Sequence, residues 1–148
     1  MGNNNSSNST LIYDEILSSY SIGDSHPMQP IRLSYVAELL QSYNVFETPG
    51  ISMTKPESAS ENDLLSFHTP QYINAIKNTT SDAIYSTANQ FNIGYGDNPI
   101  FPNMYSLANL IVGSSILAAK HIYSGKHDAV FNMAGGLHHA MPNNASGF

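Results

Sequence analysis

The sequence predicts an α/β domain built on an open parallel sheet with flanking helices, and two observations carry that prediction. Two helical segments, Ile31 to Tyr43 with apolar residues at three- and four-residue steps and Met104 to Tyr123 apolar on most sides, alternate with short apolar runs at Thr10 to Ile16, Ile51 to Lys55 and Asp128 to Met133. The last run, with Ala129, Val130, Phe131 and Met133, lacks polar alternation, as expected for a strand covered on both faces of a parallel sheet. At 148 residues the chain suits one core, in which roughly two thirds of the unfolded chain's surface is buried.

Residues 1–9, an Asn/Ser tract, carry nothing to bury and are expected to be a disordered leader, so the folded domain is expected over 10–148. Leu11, Ile12, Tyr13 and Ile16 predict a first strand. His26-Pro27-Met28-Gln29-Pro30 predicts a stiff loop, because each proline fixes its own φ and pushes its predecessor out of the helical region. His26 is expected to brace that loop. A helix follows, with Leu33, Val36, Ala37, Leu40 and Tyr43 forming one buried stripe and Arg32 in its first turn.

Thr48-Pro49-Gly50 ends that pattern, and Ile51, Met53 and Lys55 predict a short strand. Ser60 and Asp63 have capping-box spacing, which opens a short helix through Phe67. Thr69-Pro70, a cap followed by proline at the first helical position, opens another to about Lys77. Asn92 to Pro102 holds too many glycines and prolines for a regular element and predicts an ordered loop of functional size. Met104 to Tyr123 is the longest helix, apolar on most sides and so expected to be covered all round, and Ser124-Gly125 stops it.

Composition excludes several classes of function. Eleven acids against five Lys and Arg residues give a formal net charge of -6, which offers no cationic surface for direct nucleic-acid binding. With no cysteine, a transition metal has only imidazole and carboxylate ligands available. The polar leader lacks the basic and apolar regions of a secretory signal, so a cytoplasmic location is expected. Leu107 to Ala119 is too short and too often interrupted to cross a membrane, and no membrane partner is expected. Met1-Gly2 with Ser6 fits the myristoylation pattern, a match that a polar leader yields easily by chance.

The chemistry-bearing feature is Gly135-Gly136-Leu137-His138-His139-Ala140, which follows the last strand and so falls where open α/β sheets bind ligands. Adjacent imidazoles can divide acid and base work, one protonated beside a carboxylate and the other a free base. Two neighbouring histidines can equally be polar surface, and spacing alone leaves both readings open. His68, His121 and His127 have no ligand-like spacing and read as surface or capping residues. No phosphate-cradling motif occurs in Gly94 to Pro99.

Four motifs, in order, carry a resemblance: His26-Pro27-Met28-Gln29-Pro30-Ile31-Arg32, Gly96-Asp97-Asn98-Pro99-Ile100-Phe101, Gly135-Gly136-Leu137-His138-His139-Ala140 and Ala145-Ser146-Gly147-Phe148. From about Leu11 to Phe148 the chain resembles the N-terminal part of zinc-dependent histone deacetylases, in wording closest to the acetoin-utilisation type. The resemblance implies an arginase/deacetylase-like fold, here incomplete, and hydrolysis of an N-acetyl-lysine amide on an acetylated protein or a small acetylated amine. It implies that His139 is the general base and His138 its protonated electrostatic partner. Asp97 matches the rim carboxylate that holds the substrate backbone. Phe148 matches one wall of the slot around the lysine methylenes, with Gly147 beside it, and Arg32 matches an inner-cavity arginine associated with acetate release.

In that family the zinc ligands are an Asp-x-His element and a later Asp, and a Tyr stabilises the oxyanion. In the family these elements lie downstream of the stretch that matches Phe148. The chain alone is therefore expected to hold no catalytic zinc, to hydrolyse acetyl-lysine poorly, and to expose apolar surface that favours association. Two further readings stand beside an incomplete deacetylase: a non-catalytic acetyl-lysine-binding or regulatory module, and half of a split enzyme completed by a C-terminal partner chain.

Overall fold

A computed structural model describes residues 8–79, 89–136 and 139–147. Three strands form one parallel sheet: β1 (Ser9–Ile12), β2 (Ile51–Thr54) and β3 (Ala129–Asn132), in the order β2-β1-β3. Leu11 lies opposite Met53 on one side and Phe131 on the other. Beside it, the Thr10 hydroxyl reaches the Ser52 carbonyl at 3.2 Å and the Thr54 hydroxyl at 2.8 Å. Parallel strands need crossovers, and helices supply them. Helix α1 (Arg32–Ser42) lies between β1 and β2, while α2 (Glu61–Leu65), α3 (Pro70–Asn78) and α4 (Met104–Tyr123) lie between β2 and β3.

Local chemistry sets these boundaries. Asp14 accepts the Ile16 amide at 3.1 Å and starts a 3₁₀ turn at Glu15–Leu17, so β1 ends at Ile12 rather than continuing to Ile16. The capping box is complete, with Ser60 accepting the Asp63 amide and the Asp63 carboxylate accepting the Ser60 amide. Those hydrogen bonds hold the Asp63 carboxyl below its ordinary pKa. Thr69 accepts the Tyr72 amide, with Pro70 in the first helical turn as its spacing predicts.

The core gathers under α1 and α4, where Leu11, Tyr13, Leu17, Leu33, Ala37, Leu107 and Ala134 are buried together. A second cluster joins Ala59, Leu64 and Ile73 to the other side of α4. Gly113 permits that contact, because a Cβ there would stand 1.9 Å from the Glu57 carbonyl oxygen. The Ala59 amide, at 3.2 Å, uses the Asn109 carbonyl of the same helix.

Several expectations need correction. Strand β1 begins at Ser9, inside the stretch read as leader. Asn8 is bonded through its amide to the Asp128 carboxylate at 2.8 Å and through its carbonyl to the Asp128 amide at 2.7 Å, while residues 1–7 lie outside the described residues. Strand β3 is an edge strand exposed on one face, with Phe131 60% exposed, because no described segment covers it. Helix α4 is fully buried only at Leu107, Gly113, Ser114, Leu117 and His121, for the same reason. On α1, Val36 and Tyr43 lie outside the buried stripe; Tyr43 is 73% exposed and continues an outward row with Tyr35 and Leu39.

His121 and His127 are also buried, 6% and 9% exposed, rather than on the surface. Gly125, at φ 68°, turns the chain back after α4 so that the Lys126 amide bonds the His121 carbonyl at 3.0 Å and the Gly125 amide bonds that of Ile122. This return presses His127 onto the helix. Among the described residues, no helix is long and apolar enough to cross a membrane.

Candidate active site

Parallel strands bring all their carboxyl ends to one edge, and the segments leaving β1 and β3 enclose a cavity of about 390 Å³ there. Tyr20, Ile22 and the His26–Pro30 loop follow β1, and Ala134, Gly135 and Gly136 follow β3. Arg32 from α1, Asp97 and Gly147 line the same cavity, so three of the residues singled out from sequence converge. His138 and Phe148 lie outside the described residues.

His139 sits at the rim. Its side chain is exposed, and its ring packs against Gly147, where a Cβ would lie 2.6 Å from the ring's Cδ2. Its backbone is left-handed, with φ 67°, a conformation that costs a residue with a Cβ about 1 kcal/mol. The next residues are clamped on both sides. The Thr69 amide donates to the Pro142 carbonyl at 2.8 Å, and the Ala145 amide donates to that of Phe91 at 2.8 Å. Asn92 Nδ2 donates to the Ala145 carbonyl at 2.9 Å. A carbonyl only accepts, so the 3.1 Å contact between His68 Nδ1 and the Met141 carbonyl sets a proton on His68 Nδ1.

Sequence reasoning missed His68 as part of this wall. It stands between Phe67 and Tyr72, with ring centroids 4.9 and 5.3 Å away, and Tyr72 leads on to Phe91 at 5.8 Å. The available signal was its place directly before the Thr69-Pro70 cap, where a helix start turns the chain inward. Tyr20 stacks on Phe101 at 5.2 Å. Burial raises the Tyr20 pKa against the opposing pull of the Arg32 guanidinium, and burial raises that of Tyr72. Both phenols therefore stay protonated at neutral pH and can donate hydrogen bonds.

The loop bearing Asp97 is a tight turn: the Asn98 amide donates to the Tyr95 carbonyl at 2.9 Å and the Gly94 amide to that of Asn98 at 2.7 Å. Gly94 and Gly96 take positive φ in it. His26 braces the other side as its loop predicts, its Nδ1 accepting the Met28 amide at 3.1 Å.

A zinc site needs at least three protein ligands converging on one point. Among the described residues no three His, Cys, Asp or Glu side chains form such a group, so they do not fit the metal that the resemblance implies.

The architecture is a parallel α/β domain with an apolar, glycine-lined cavity at the strand ends, rimmed by a carboxylate and an imidazole. Residues 26–148 match the histone deacetylase domain, and the chain belongs to the histone deacetylase family. It is 37% identical to the histone deacetylase Clr6 of Schizosaccharomyces pombe over 92% of its own length and 34% of that protein's. It is 35% identical to type-1 histone deacetylase 1 of Dictyostelium discoideum, covering 28% of it. The crystal structure of a histone deacetylase homologue from Aquifex aeolicus superposes with a TM-score of 0.82 at 29% identity, over 95% of this chain and 37% of that one. The chain thus spans about a third of the relatives it matches.

Proposed function

We propose that this chain supplies the acyl-lysine slot and the proton-handling histidines of an N-acetyl-lysine deacetylase. The observation that carries the proposal is the convergence of Asp97, Arg32, Gly135, Gly136 and Gly147 on one cavity, with the His139 ring against Gly147. An acetylated lysine is a long apolar stem with an uncharged amide at its tip. An apolar channel with a carboxylate at its rim suits it: the channel takes the stem, and Asp97 accepts hydrogen bonds from the substrate's backbone amides.

In the proposed roles His139 takes the proton from attacking water, and His138 carries a proton toward the leaving amine. Arg32, which lines the same cavity, is suited to meet the carboxylate product. The described residues supply no metal-ligand set, so zinc has no assigned place among them and the chain alone is proposed to hydrolyse poorly. The same observation favours a second reading, a module that binds acetyl-lysine without cleaving it.

Titration of a fluorescein-labelled acetyl-lysine peptide into the folded chain, followed by anisotropy, tests the slot. Saturable binding that the unacetylated peptide does not share is expected, and Asp97→Ala should weaken it about tenfold, the loss of one charge-assisted hydrogen bond. Equal affinity for both peptides contradicts the slot. Assay of the purified chain with and without added zinc then separates the two readings, since deacetylation supports the enzyme and binding without turnover supports the module.

A further inference from the structure

We propose that Lys126, His121 and His127 form a proton-sensitive latch at the opposite edge of the sheet, closed while His121 is neutral and released when it gains a proton. Lys126 Nζ lies 3.1 Å from His121 Nε2, and His121 Nδ1 lies 3.1 Å from His127 Nδ1, with the two rings 4.9 Å apart. An ammonium only donates, so His121 Nε2 must be the unprotonated nitrogen. The proton of His121 then sits on Nδ1 and is donated to His127 Nδ1, which leaves the His127 proton on Nε2. One arrangement satisfies every contact. A further proton on His121 Nε2 would point an N–H at the ammonium, and one on His127 Nδ1 would set two N–H groups head to head.

Both rings are buried, which makes such a mismatch costly. The charged groups facing His121 are Lys126 and His127 from the returning loop and Glu57 from the loop packed over α4. Burial, then Lys126 and His127, lower the His121 pKa from its ordinary value, and Glu57 opposes them. A lowered histidine pKa means that the unfolded chain binds more protons below about pH 6.5. The latch therefore gives its full stability above that pH and loses it as pH falls.

The latch is tied to the roots of two strands. Asn8 Nδ2 donates to the Lys126 carbonyl at 2.9 Å, and Asn8 and Asp128 exchange backbone and carboxylate bonds immediately before β1 and β3. Strand β3 runs from this point to Gly135 and Gly136 in the cavity wall. Release at acid pH frees the strand that carries the site. A metal is the poorer occupant, because no third His, Cys, Asp or Glu completes a group among the described residues and the ammonium opposes a second cation.

The test is thermal unfolding of the full chain at pH 7.5 and 5.5, with His121→Gln as the comparison. The wild type should lose about 4 °C more than the variant between those pH values. Long-range proton–nitrogen NMR of the wild type at pH 7.5 provides a second readout should the variant not fold. It should show His121 protonated on Nδ1 and His127 on Nε2. Equal pH sensitivity in wild type and variant, the reverse tautomers, or zinc titration that shifts both imidazoles at one equivalent would each overturn the latch.

Discussion

The two edges of the sheet are built from different materials. At the carboxyl edge, glycines and apolar rings leave a cavity of about 390 Å³, and the polar groups there stand on its walls and rim. At the amino edge, Asn8, His121, Lys126, His127 and Asp128 turn their polar groups on one another. The same helix serves both. Helix α4 begins beside the cavity at Met104 and Tyr105 and ends at the His121 contacts. One edge thus keeps hydrogen-bonding capacity for a ligand, while the other spends it on holding the strands together.

The largest expected effect comes from breaking the helix that joins the two edges. Gly113→Val would drive side-chain atoms into the Glu57 carbonyl and separate α4 from the 57–59 segment. A loss of about 3 kcal/mol in urea unfolding is expected, with both edges loosened together. Unchanged stability would mean that α4 and the 57–59 segment slide freely past each other.

A smaller change separates the edges. Gly147→Ala places a Cβ at φ +69° against the His139 ring, so about 1 kcal/mol of strain falls at the cavity rim. Acetyl-lysine peptide binding should weaken while the imidazole tautomers of His121 and His127 stay as they are. A change in those tautomers would show that the edges are not independent.

Smaller effects test the local caps. Thr69→Ala removes the acceptor for the Tyr72 amide and should cost about 1 kcal/mol, and it should also loosen the Thr69 clamp on Pro142. The Asp63 carboxylate, with its lowered pKa, adds stability that is present above its unfolded value and is lost as pH falls through the folded one. In Ser60→Ala that acid-range slope should flatten, as pH-dependent urea unfolding would show.

The sequence made some of this legible and hid the rest for physical reasons. Helices α1 and α4, the Ser60 capping box and the Thr69-Pro70 start could be read because each depends on residues within a few positions of one another. Burial could not be read in the same way. Phe131 and Tyr43 are apolar enough for a core, and their exposure depends on which distant segments happen to cover them. The convergence of Arg32, Asp97 and Gly147 followed from the resemblance, not from spacing, because they come from three separate stretches of chain.

The His121–His127 contact was the least legible. Six positions put two residues on different faces of a helix, and the pair meets only because Gly125 reverses the chain. The Ser124-Gly125 stop was the available clue, since a left-handed glycine after a helix returns the next residues to its last turn.

The central claim is that ligand binding belongs to the carboxyl edge alone. Amide NMR of the labelled chain during titration with an acetyl-lysine peptide tests it most directly. Shifts should concentrate at Asp97, Gly135, Gly136 and Gly147 and spare 121–128. Shifts centred on 121–128, or spread evenly over both edges, would contradict the account.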